Sequence, residues 1–214
     1  MNAESPIAPQ FDDAGQQRHA ATLGMWLFLA TEVLFFGALF LGYTAFRISH
    51  PHAFHEAARH TLVLFGSVNT AVLIASSFTM VLAVRAAELH QRSALMWLLS
   101  ATAGLGLVFL VIKGFEYRQE IVEGLWPGEG FRLVGADESH ARMFFYLYFL
   151  MTGVHAVHVL IGIITICVFA ARVRISRAVA PLVTAIDLLG LYWHFVDIVW
   201  VFLFPLLYLV GRSS

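Results

Sequence analysis

An all-α fold, a polytopic membrane bundle of five transmembrane helices, is what the sequence predicts, and three observations predict it. Of the 214 residues 59% are hydrophobic and only 13% charged, against about 45–50% apolar and about 25% charged in ordinary soluble domains. Mean hydropathy is +0.77. The apolar residues collect into five continuous stretches, at 22–46, 62–84, 94–112, 143–171 and 181–210, and a helix needs about 20 such residues to cross lipid. Period-2 alternation, which a transmembrane barrel requires, is missing from them.

The elements follow in order. Residues 1–20 are polar, hold Pro6 and Pro9, and lack the apolar core of a signal peptide; they read as a disordered tail ahead of one membrane domain, 21–214. The first span carries a single charge, Glu32, and the next two carry none. Between the first two, residues 47–61 read as a small His-rich loop with Pro51, and residues 85–93 read as a tight turn. The long link after the third span is acidic, with Glu116, Glu120, Glu123, Glu129, Asp137 and Glu138. Its start, Lys113-Gly-Phe-Glu-Tyr-Arg-Gln-Glu120, favours helix, so the third helix is expected to project beyond the bilayer until Trp126-Pro127-Gly128 breaks it. The turns around Arg85 and Arg92, and around Arg172, Arg174 and Arg177, concentrate basic charge in short connections. By the positive-inside rule this places the N-terminus in the cytoplasm and the C-terminus outside. The acidic link then faces out, where it is either a solvated loop or a surface that steers a basic partner.

A net charge of -1 with no basic stripe argues against a nucleic-acid partner. The single Cys167 provides neither a disulfide framework nor a thiolate metal site. No internal repeat of the kind transporters use is visible.

Ionisable residues inside lipid are costly, so they mark function or specific pairing. In the fifth span, Asp187-Leu-Leu-Gly-Leu-Tyr-Trp-His194-Phe-Val-Asp197-Ile-Val-Trp200, the residues Asp187, His194 and Asp197 fall on one helical arc. Trp193 and Trp200 share another face, and His194 and Asp197 are spaced to pair. The arc reads as a seam to neighbouring helices, a ligand or lipid-headgroup site, or a proton-transfer group. The fourth span sets His155 and His158 at i, i+3 among the small residues Gly153, Ala156 and Gly162, which permit close helix approach. A bis-His haem from His155 and His194 is conceivable, but satisfied buried histidines fit better. No Glu-x-x-His pair lies within a span to build a di-metal site. Glu32, nearly mid-span, is either hydrogen-bonded internally or a functional carboxyl.

Five segments in order carry a resemblance: Trp26-Leu-Phe-Leu-Ala-Thr-Glu32-Val-Leu-Phe-Phe36, Ser67-Val-Asn69-Thr-Ala-Val-Leu73, Phe115-Glu116-Tyr117, Thr152-Gly-Val-His155-Ala-Val-His158-Val159 and Tyr192-Trp-His194-Phe-Val-Asp197-Ile-Val-Trp200. Together they resemble subunit III of haem-copper oxidases, over nearly all the chain after the tail, in the short five-span bacterial form.

The resemblance implies a non-catalytic accessory subunit of a respiratory terminal oxidase in the bacterial inner membrane, with no redox centre or metal of its own. Haem and copper would lie in partner subunits I and II, and a phospholipid in a cleft. Its role would be to sustain turnover and support proton uptake by the catalytic subunit in aerobic electron transport. Glu32 matches the family glutamate that reacts with carbodiimides. Many relatives have seven spans, and this chain begins at what would be the third, so one wall of the cleft would come from another subunit or the lipid site would be reduced. Cytochrome c, or a larger respiratory supercomplex, is a further implied partner. The alternatives are the related subunit of a quinol oxidase or nitric oxide reductase and, from another class, a self-sufficient membrane cytochrome or transporter.

Overall fold

The computed structural model describes residues 9–128, 131, 138–176 and 178–209. Its helices are α1 (Ala14–Ser49), α2 (Pro51–Arg59), α3 (Val63–Glu88), α4 (Arg92–Val122), α5 (Glu138–Ile175) and α6 (Val183–Phe204). A 3-10 turn, Ala180–Leu182, leads into α6, and a π-helical turn, Pro205–Leu209, continues it. Five of these segments are long and apolar enough to cross a membrane, and no strand occurs among the described residues.

The helices overrun the predicted spans because hydropathy marks only the length immersed in lipid, whereas hydrogen bonding continues into water. α1 starts at Ala14, inside the stretch expected as a tail. Asp13 Oδ1 accepts from the Gln16 backbone N–H at 2.7 Å, while Gln16 Oε1 accepts from the Asp12 N–H at 2.7 Å. That exchange is a capping box displaced by one residue. The expected His-rich loop contains α2, whose Pro51 occupies the first turn, where a missing N–H costs nothing. Phe54, Ala57 and Ala58 turn inward, and Phe54 packs edge-on against Phe144 of α5.

Two helix ends use left-handed caps. Gly124 ends α4 at φ 77°, and the Leu125 N–H closes back on the Glu120 carbonyl at 2.9 Å, a Schellman closure. The break thus falls two residues before the expected Trp126-Pro127-Gly128. At the end of α3 the same closure, Gln91 N–H to Ala86 O at 2.9 Å, is built on His90 at φ 56°.

α3, α4, α5 and α6 close into a ring, each packed on the next and α6 back on α3. The buried seam of α3 runs Gly66, Asn69, Leu73, Ser76, Met80, Ala83 and Ala87, and that of α4 runs Leu95, Leu99, Thr102, Gly106, Phe109, Lys113, Glu116 and Glu120. Alternating steps of three and four define a left-handed bundle of coiled-coil type. α1 stands outside the ring against α5 and α6, burying only Leu29, Phe36 and Tyr43, each seven residues from the next. α6 is the most enclosed span.

Trp193 of α6 is the keystone of this ring. Its indole N–H donates to Ser76 Oγ of α3 at 2.7 Å, and its ring lies between Gly106 of α4 and Gly162 of α5. A Cβ built on either glycine would come within 2.8 or 2.7 Å of that ring. The small residues are therefore required by close approach of the indole.

Candidate functional site

Polar side chains fall into three groups, set by which helix face carries them. The first lies along the outer side of α6. His194 Nδ1 bonds Ser77 Oγ of α3 at 2.7 Å, and Asp187 Oδ2 lies 3.5 Å from Arg18 Nη2 of α1. The Arg18 contact is largely exposed, so it contributes little to stability. The spacing-based pair of His194 and Asp197 does not form. His194 turns to α3, and both carboxylate oxygens of the buried Asp197 are without a hydrogen-bond partner among the described residues.

His194 lines three grooves. An apolar one of about 460 Å³ runs between α1 and α6 past Trp26, Phe36, Gly37 and Phe202. A second, about 420 Å³, ends at Arg18 and Asp187. The third, also about 420 Å³, reaches Asp197 and Ser77 between α3 and α6.

The second group joins α1, α5 and α6. His158 Nδ1 lies 2.9 Å from the Val154 carbonyl, and Nε2 lies 3.1 Å from Glu32 Oε2. A carbonyl only accepts, so Nδ1 carries hydrogen. Nε2 therefore faces the Glu32 carboxyl, so an imidazole and a carboxyl that lipid would disfavour singly are paired between α5 and α1. Tyr192 Oη donates to the His158 carbonyl at 3.0 Å, and Phe36 packs edge-on against the imidazole.

The third group is internal. Lys113 Nζ donates to Glu116 Oε2 at 3.0 Å, Tyr148 Oη at 2.7 Å and Tyr208 Oη at 2.6 Å. Both phenols donate to Glu116 Oε1, at 2.9 Å and 2.7 Å. Every ammonium proton is used, and the carboxylate accepts three bonds. The Lys113 ammonium also sits 4.5 Å from the Tyr148 ring centre. Trp200 stands above this network, its indole N–H on Thr70 Oγ1 at 3.0 Å and its ring 4.8 Å from Phe109. His155 lies against Phe109 and Trp200, fully buried, with neither ring nitrogen hydrogen-bonded among the described residues. Of the two histidines of α5, His158 is thus hydrogen-bonded through both ring nitrogens and His155 through neither, among the described residues. His155 and His194 face different surroundings, and no group of three His, Cys, Asp or Glu that could hold a metal occurs among the described residues.

Two members of the expected acidic surface are not surface. Glu116 and Glu120 are 0% and 1% exposed, whereas Glu123 and Glu138 are exposed. Glu129 and Asp137, like Arg177 of the basic turn, lie outside the described residues. Lys113, Glu120, Tyr148, Tyr208, Ser76 and Ser77 were missed as site residues from sequence. The signal was present: Lys113, Glu116 and Glu120 continue the three–four seam of Leu99, Thr102, Gly106 and Phe109.

These features define a multi-pass helical membrane subunit whose polar side chains mostly join helix to helix. The family model for cytochrome c oxidase subunit III matches residues 9–212, and the chain belongs to that family. It is 31% identical over 205 residues to cytochrome c oxidase subunit 3 of Corynebacterium diphtheriae, covering 95% of this chain and 94% of that protein. It is 32% identical over 206 residues to cytochrome c oxidase subunit 3 of Thermostichus vulcanus, covering 94% and 92%. A probable quinol oxidase subunit 3 of Staphylococcus haemolyticus is 29% identical over 196 residues, covering 88% of each chain. The protein is thus a subunit III of the haem-copper or quinol oxidases, part of a multi-subunit terminal oxidase complex.

Proposed function

We propose that this subunit is itself non-catalytic, and that it holds phospholipid against the oxidase complex while supporting proton uptake by the catalytic subunit. The observation that carries the reading is the set of grooves meeting at His194. The 460 Å³ groove has the apolar walls an acyl chain needs, and the adjoining one ends at Arg18 and Asp187, where a headgroup phosphate finds a guanidinium. The Glu32–His158 pair, joining α1 to α5 at 3.1 Å, is the group that supports proton movement. Haem and copper belong to the partner subunits I and II. The N-terminus is cytoplasmic and the C-terminus periplasmic, in a bacterial inner membrane. The relatives' names favour cytochrome c as electron donor, with quinol as the second reading; membership of a larger supercomplex is compatible with either.

Gly37 lines the α1–α6 groove, and a Cβ there meets nothing within 4 Å. Gly37→Trp is therefore expected to fill the groove without disturbing the ring. The oxidase purified with this variant should retain fewer phospholipids by mass spectrometry and lose activity sooner during turnover. Unchanged lipid content and turnover lifetime would overturn the lipid reading. The co-purifying subunits and their haem spectrum test the rest.

A further inference from the structure

Beyond lipid and the Glu32–His158 pair, the C-terminal end of the α4 seam holds a carboxyl with no assigned use. Glu120 follows Lys113 and Glu116 at i+7 and i+4, so all three point the same way into the ring. It is 1% exposed, and neither of its carboxyl oxygens has a hydrogen-bond partner among the described residues.

The neighbouring donors explain why. Lys113 has three N–H bonds, and all three are taken by Glu116, Tyr148 and Tyr208. The phenolic protons of Tyr148 and Tyr208 are both directed at Glu116 Oε1. Tyr117 Oη is engaged with Thr152, whose own hydroxyl hydrogen goes to the Tyr148 carbonyl. The charges acting on Glu120 are therefore Lys113 and Glu116 on its own helix, already neutralising one another, and Glu123 one turn on, which repels. From α5 and the π-helical turn the facing groups are the two phenols. Among the described residues a second anion at this place has no donor in hydrogen-bond geometry, since the Tyr148 hydroxyl, the nearest phenol to act on it, is directed at Glu116. A buried ionised carboxylate without a donor is strongly disfavoured.

We propose that Glu120 is a proton-binding site: its carboxyl is held as the neutral acid beside a closed Lys113–Glu116–Tyr148–Tyr208 network. The bound proton is the one dissociable proton of the cluster whose departure breaks none of the network's hydrogen bonds. The exposed Glu123 marks water one turn away. Leu125, buried and bonded through its N–H to the Glu120 carbonyl, closes the helix end over the site. The ligand is a proton, and the site works by keeping it next to an ion pair without joining that pair.

The test uses the intact oxidase complex. Infrared spectra of wild type minus Glu120→Gln at neutral pH should show the carbonyl stretch of a protonated carboxyl, shifted in heavy water. Glu120→Met, which removes the group without adding a donor or charge, should unfold at the same temperature as wild type or above it. A difference spectrum showing carboxylate stretches instead, or a Glu120→Met midpoint lowered as far as that of Glu116→Met, would overturn the proposal. If Glu120→Met fails to assemble, the Gln spectrum alone decides, and a carboxylate signal refutes.

Discussion

Replacing Gly162 by alanine tests whether the ring is assembled around Trp193. The new Cβ would lie 2.7 Å from Cζ3 and 2.9 Å from Cε3 of the indole, where relaxed carbon contacts are about 3.5–4.0 Å. One of the two must therefore move by nearly an ångström. The indole has little room, because its Cη2 edge faces Gly106 at 2.8 Å from that residue's virtual Cβ. Its N–H is also tethered to Ser76 at 2.7 Å. Overpacking of this kind costs about 1–3 kcal/mol. Exchanging glycine for alanine in a helix returns about 0.5–1 kcal/mol. A net loss of about 1–2 kcal/mol changes the folded-to-unfolded ratio by roughly 5–30-fold. The assay is denaturant-induced unfolding of the reconstituted subunit, followed by near-UV circular dichroism of the tryptophans. Gly104→Ala is the control, because nothing lies within 4 Å of a Cβ there, so it should be neutral or stabilising. Trp193→Phe in the Gly162→Ala background removes the clashing atoms and should recover stability relative to the sum of the single changes. Equal stability of Gly162→Ala and Gly104→Ala would refute the account.

Lys113→Met should be severe, about 3–5 kcal/mol, because it leaves the Glu116 carboxylate buried without its counter-charge; Lys113→Met with Glu116→Leu should cost less than Lys113→Met alone, and thermal unfolding of the two variants compares them. His90→Gly should stabilise: a non-glycine residue in the left-handed region costs about 1–2 kcal/mol, and the midpoint of unfolding should rise.

Legibility from sequence varied by residue. The five spans and the membrane class followed from hydropathy, since lipid imposes a length and an apolar surface on any helix that crosses it. The capping pair Asp13 and Gln16 was readable too, although composition alone suggested a tail. The faces were harder. Hydropathy cannot tell a lipid-facing leucine from a core leucine, because both environments are apolar, and the charges of Lys113 and Glu116 looked like a surface link. Their place in the three–four seam of α4 was the better guide.

The sequence by itself determined an all-α membrane bundle, its five spans, and the ordered motifs that mark the subunit III family. Those properties depend on local composition and spacing. Tertiary structure alone decided that Glu32 meets His158, that His194 bonds Ser77 instead of Asp197, and that Lys113, Glu116, Tyr148 and Tyr208 satisfy one another. Apart from the Lys113–Glu116 pair within α4, each of these contacts joins residues on different elements of the bundle. Which side chain finds which is fixed by helix rotation and register, and these are set when the whole ring packs around Trp193.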